Sequence, residues 1–193
     1  MLPFQPPGDP AALAVDLVNT ADVLANPPEL LRDVRALRAF LADHGLEGEL
    51  DDADVHAVRL LRAKVRAVFT APDEDTAAEA LNDLLRREGA TPQLERGEDG
   101  WRVAYRPARP SIAASVAAAA AVPLLEAIAD GDWVRLGTCR AAPCCCVFVD
   151  RSRNHSRRFC SNLCADRVAQ SAYRRRRSVA VASAHRAMDA PAR

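Results

Sequence analysis

The chain has 193 residues, with 26 basic and 26 acidic side chains and a formal net charge of zero. At 49% hydrophobic and 27% charged residues it can bury a core, which excludes a disordered chain; two Trp, two Tyr and five Phe leave that core mostly to Leu, Val and Ala. Zero net charge argues against wholesale attraction to polyanions, but the average hides a division. Residues 135–193 carry 13 Arg against three Asp, a net of +10, whereas residues 1–134 carry 13 basic and 23 acidic groups, a net of −10. Such asymmetry points to an anionic partner for the basic part.

Helical periodicity dominates the acidic part. Leu13, Leu17 and Val18 make a short apolar stripe. Leu30, Leu31, Val34, Leu37, Phe40 and Leu41 follow amphipathic spacing, and His44-Gly45 ends that helix. A third helix starts near Asp51-Asp52 and carries Val55, Val58, Leu60, Leu61, Val65 and Val68. After Pro72, Thr76 and Glu79 have the spacing of a capping box for a fourth helix with Leu81, Leu84 and Leu85. Leu94 and the alternating run Trp101 to Tyr105 flank Gly97 and Gly100, which predicts a small β-hairpin. The Ala-rich stretch from Ser111 to about Asp130 predicts the last helix of the body, kinked or broken at Pro123. Its weakly polar run, Ile112 to Leu125, falls short of the ~20 residues of a membrane span and reads as a core helix. The opening segment lacks the basic and apolar regions of a signal peptide, so the expectation is a cytoplasmic protein without membrane contact.

All six cysteines lie in the basic part, which follows a seam at Gly131-Asp132. A segment this short and polar needs a metal or disulfides to fold. Cys139-x4-Cys144 and Cys160-x3-Cys164 are two close pairs separated by a loop, the spacing of a four-thiolate zinc site. In a cytoplasmic chain clustered thiols bind metal more often than they form disulfides. One structural Zn2+ is therefore expected. Cys144, Cys145 and Cys146 are adjacent, and only one of them can complete the tetrahedron. Val147-Phe148-Val149, with Phe159, would form the apolar core of the module.

Inside the loop stand Arg151, Arg153, Arg157 and Arg158, two hydroxyls, an amide and His155, a residue read as facing solvent or phosphate rather than metal. Beyond Cys164 one helix carries Arg167 and Arg174 to Arg177, with Arg167, Ser171, Arg174 and Ser178 on one face. Tyr173 is placed to pack on the zinc loop or to stack on a base. A zinc site, an Arg loop and an Arg helix within about 40 residues point to nucleic acid, with Arg151, Arg153, Arg157, Arg158, Arg167, Arg174, Arg175 and Arg177 as candidate contacts.

The text from Cys139 through Asp150, Ser152-Arg153-Asn154, Ser156-Arg157-Arg158-Phe159-Cys160-Ser161 and Cys164 resembles the CGNR-type zinc finger. In that family the finger follows a helical domain called ABATE, to which Leu17-Val18-Asn19-Thr20, Leu81-Asn82 and the hairpin near Trp101 are similar. The resemblance implies Cys144 as the second ligand, and a bacterial, stress-linked transcription regulator that binds DNA through the finger. Ala165-Asp166 stands where the family name has Gly-Asn, and the second Cys pair is one residue tighter than the usual form. Ala favours an earlier helix start, and Asp166 either weakens a DNA contact or positions Arg167.

The fold expected is mainly α: a helical ABATE-like domain over 1–134 with a small hairpin, then a CGNR-like finger over 135–193 ending in a basic helix. The leading function is DNA-binding regulation, with the body dimerising or sensing a small-molecule effector. The alternatives are a protein-interaction module whose basic tail docks on an acidic partner or on its own body, and a general RNA or nucleic-acid binder. The sequence has no Cys-x2-Cys redox pair, phosphate-binding Gly loop or His/carboxylate cluster, so no enzyme is expected. Asp16 and Asn19 lie one helical turn apart and could line a ligand pocket, although a cap or a buried hydrogen bond is the commoner use of such residues.

Overall fold

A computed structural model describes residues 8–97, 100–107 and 111–188. Four helices open the chain: α1 (Ala12–Asn19), α2 (Val34–Asp43), α3 (Asp52–Phe69) and α4 (Glu74–Arg87). The strands β1 (Ala90–Gly97) and β2 (Gly100–Pro107) then pair antiparallel, with Leu94 opposite Val103 and Gly97 opposite Gly100. Helix α5 (Ile112–Ala129) and a 3-10 turn (Trp133–Arg135) lead into β3 (Leu136–Thr138) and β4 (Val147–Val149), a second antiparallel pair. The chain ends its described part in α6 (Asn162–Met188). The architecture is mainly α with two small hairpins.

Several helix starts differ from the sequence reading, and the caps explain why. Asp33 accepts from the Ala36 N–H at 2.8 Å, so α2 begins at Val34. Leu30 and Leu31 belong to a preceding loop, which is pinned where the Leu30 N–H meets the Thr20 carbonyl and Ala21 bridges Glu29. Arg62 of α3 secures the same loop through both carboxylate oxygens of Glu29, at 2.9 and 2.7 Å. In α4 the cap is Asp73, accepting from the Thr76 N–H, rather than Thr76 itself. An acid at that position also sits well with the positive end of the helix. Helix α3 starts where expected, with Asp51 and Asp54 forming a reciprocal capping box. Gly45, at φ +68°, supplies the left-handed turn that ends α2.

Helix α5 runs through Pro123 as one helix, so the proline does not break it. Among the described residues it is one helix long and apolar enough to cross a membrane by length and composition. Here its Val116, Ala117, Ala120, Ala121 and Leu124 are buried against α1, α3 and α4. They join Leu17, Val18, Leu41, Val58, Leu61, Val65, Leu81 and Leu84 in one core.

That core does not stop at the seam. Val147 and Val149 of β4 belong to it, while Phe148 belongs to a separate cluster built on the cysteines. The expectation that all three side chains form the core of the zinc module is thereby corrected. Successive strand side chains point to opposite faces, so this three-residue strand serves two cores at once.

Candidate metal centre and its arginine-rich flank

Strands β3 and β4 and the start of α6 bring the two cysteine pairs together. The Cys139 N–H donates to the Cys146 carbonyl and the Cys144 N–H to that of Ala141, which folds the first pair into a tight knuckle. The Arg140 N–H reaches the Arg158 carbonyl and ties the knuckle to the loop before the second pair. Cys160 precedes α6 and Cys164 lies in its first turn, where its N–H faces the Ser161 hydroxyl.

The thiols of Cys139, Cys144, Cys160 and Cys164 are all buried, with their sulfurs within 4.8 Å of one another. The Cys144–Cys160 and Cys160–Cys164 sulfur separations are both 3.6 Å. A tetrahedral ion with Zn–S bonds of ~2.3 Å requires ligand edges of ~3.8 Å, whereas a disulfide requires ~2.05 Å. The donor set and its spacing fit one structural zinc ion. Burial pushes the Cys144 thiol above its ordinary range, and contact with the Cys146 thiol together with burial does the same at Cys160. A dication therefore has to displace protons on binding. Cys144 is the member of the Cys144–Cys146 run that joins the cluster, Cys146 packs beside it, and Cys145 is half-buried with its carbonyl held by Arg66 of α3 at 2.6 Å.

The arginines of this region fall into two groups. Arg157 lies over the Phe148 ring at 4.8 Å and donates to the carbonyls of Phe159, Val149 and Cys160. Arg167 donates to the Ala141 carbonyl, so α6 is fastened to the knuckle. Arg151 grips both carboxylate oxygens of Asp9, at 3.0 and 2.6 Å, in a body residue whose side chain is only 2% exposed. Burial alone would raise the Asp9 carboxyl, but the Arg151 hydrogen bonds, the Ala11 N–H and the charges of Arg151 and Arg157 together hold the group below the ordinary value. Arg151 is itself exposed, and so are Arg153, Arg158, Arg174, Arg175, Arg176 and Arg177, with His155 and Tyr173. A cleft of about 470 Å³ opens between the loop and α6, lined among others by Ser152, Ser156, Arg158 and Asn162.

Two structural residues escaped the sequence reading. Asp150 is buried and accepts from the Ser152 and Arg157 N–H groups, at 2.7 and 2.8 Å. Arg135 donates to the Asp150 and Ser152 carbonyls and shapes the same loop. The signal for Asp150 was its place two residues before Ser152, a spacing for side chain-to-backbone turns. Asn19, set beside Asp16 as a possible pocket residue, is fully buried and clamps the zinc module. Its amide nitrogen donates to the Val147 carbonyl at 3.0 Å and its oxygen accepts from the Val147 N–H at 2.8 Å. The amide's remaining hydrogen and lone pair lie in the buried interior, away from solvent. Asp16 lies 3.5 Å from the His44 imidazole.

A helical body joined through a shared strand to a four-cysteine knuckle and a basic helix defines a zinc-finger protein of the two-part, body-plus-finger class. Residues 11–130 match the model of the ABATE family, described as "Putative stress-induced transcription regulator", and residues 135–177 match that of the CGNR zinc finger. The chain belongs to the ABATE family and carries a CGNR zinc finger. Comparison with curated proteins gives no match.

Proposed function

We propose that this chain is a cytoplasmic, non-catalytic transcription regulator that binds duplex DNA through its zinc finger. The observation that carries the reading is the set of exposed arginines left once those bonded within the chain are subtracted. Arg153 and Arg158 stand on the loop and Arg174 to Arg177 on α6, all exposed and all on elements anchored by the metal site. Six cations in this arrangement suit phosphate contacts, with the loop or the helix left to read base edges. Arg151, Arg157 and Arg167, the other candidate contacts on the loop and at the start of α6, are bonded within the chain and help to aim the rest. The family description supports regulation in the same sense.

If about five phosphates are neutralised, log K falls with log[salt] at a slope of roughly −4 to −5. Anisotropy of a labelled duplex against KCl measures that slope, and Arg158→Ala reduces it by about one. Salt-independent binding, or none to any duplex, overturns the proposal. Selection of bound duplexes with a Cys160→Ala control then separates sequence-specific from general nucleic-acid binding. A second reading, that the basic part docks on its own acidic body, draws on the Arg151–Asp9 pair. In that case Asp9→Asn tightens duplex binding; unchanged affinity in the variant removes this alternative.

A further inference from the structure

The hairpin of β1 and β2 has a face that the body leaves open. Cross-strand partners share a face, and side chains alternate along each strand. The pairs Pro92–Tyr105, Leu94–Val103 and Arg96–Trp101 therefore lie together on one side. Leu94 is 69% exposed, Trp101 66% and Val103 59%. Solvated strand faces are ordinarily polar, and three large apolar side chains in one row are not scattered exposure.

We propose that this face is the surface through which two copies of the chain associate. Three features on the hairpin favour a second copy over an unlike partner. The pattern is self-complementary: a two-fold axis through its centre sets Leu94 of each copy on Val103 of the other. Among the described residues of the two strands the ionic group on this face is Arg96, whose guanidinium lies 5.6 Å from the Trp101 ring centre of its own chain. These strand pairs can then meet with each cation staying over an aromatic face. Area supplies the third. A Trp alone offers ~150–250 Å², so the row presents about 400 Å², within the ~300–600 Å² of the largest functional patches. That is about half of the ~800 Å² per partner of a standard interface, the size of a weak, exchanging dimer.

The proposal stands apart from DNA binding and is tested without DNA. Sedimentation velocity of the zinc-loaded full chain should show a monomer–dimer equilibrium with a micromolar midpoint. Leu94→Glu should raise that midpoint at least tenfold, whereas Gln93→Glu, on the other face of β1, should leave it in place. A second readout avoids variants that disturb folding. In a Trp133→Phe background Trp101 is the one remaining tryptophan, and its emission should shift to the blue as concentration rises through the midpoint. A chain that stays monomeric throughout, a dimer indifferent to Leu94→Glu, or Trp101 emission independent of concentration overturns the proposal.

Discussion

Asp16 shows how a single side chain responds to its surroundings. Burial raises its carboxyl to about 6, and the charges of Asp9 and Asp43 push in the same direction. The neighbouring His44 gives little relief, because burial lowers its own pKa and leaves the imidazole neutral near pH 7. The folded state therefore holds a proton on Asp16 more tightly than the unfolded chain does. This contribution to stability is fully present below about pH 4 and is lost as pH rises through about 6. Asp16→Asn is expected to stabilise the protein by ~1–3 kcal/mol at pH 8 and hardly at all at pH 4. Urea titrations at the two pH values measure this, and a gain independent of pH would sink the explanation. The arginines teach a related lesson. Arg157 and Arg158 are neighbours of one type, yet one fastens three carbonyls and the other faces water.

Among the elements, the β3–β4 pair is a tight fit. Gly137 lies opposite Phe148, and a Cβ built on it would sit 2.6 Å from the Phe148 ring. Only glycine lets the ring lie flat across the strand, where it covers the cysteine cluster and carries the Arg157 guanidinium. Gly137→Ala should displace the ring, cost about 1–3 kcal/mol and speed zinc loss to a chelator. Adding Phe148→Leu should recover part of both effects, since the two positions compete for one space. Zinc retention in the single variant equal to wild type would contradict this. The helices were largely legible from spacing, because burial of one stripe leaves a periodic trace. Their starts were less so. Asp33 and Asp73 each displaced a cap or start chosen from the sequence, as several polar residues in a row offer competing caps and packing selects among them.

For the molecule as a whole, the consequence of a shared strand is coupling. Val147 and Val149 fill the core of the body, Asn19 clamps Val147, and Arg66 holds the Cys145 carbonyl. Zinc binding contributes on the order of 10–16 kcal/mol to small modules of this type, and here part of that is transmitted to the helices. Chelation of the metal is expected to lower the melting temperature of the entire chain in one calorimetric transition. A body transition that stays in place while a separate small one disappears would show that finger and body are independent.

Sequence alone determined the charge division, the helical body with its hairpin, and the two cysteine pairs with their metal. Each of these is set by residue type and spacing along the chain, which local geometry translates directly into structure. Tertiary structure decided which arginines are supports and which are free, that Asn19 is a clamp, and that the finger shares a core with the body. Those outcomes depend on which carbonyl or apolar surface lies across from a side chain, in the case of Asn19 and Val147 more than a hundred residues away. The zero net charge thus separates in space as well as in sequence: the two halves are joined by Asp9 and Arg151 and by a buried strand, while the exposed arginines face outward.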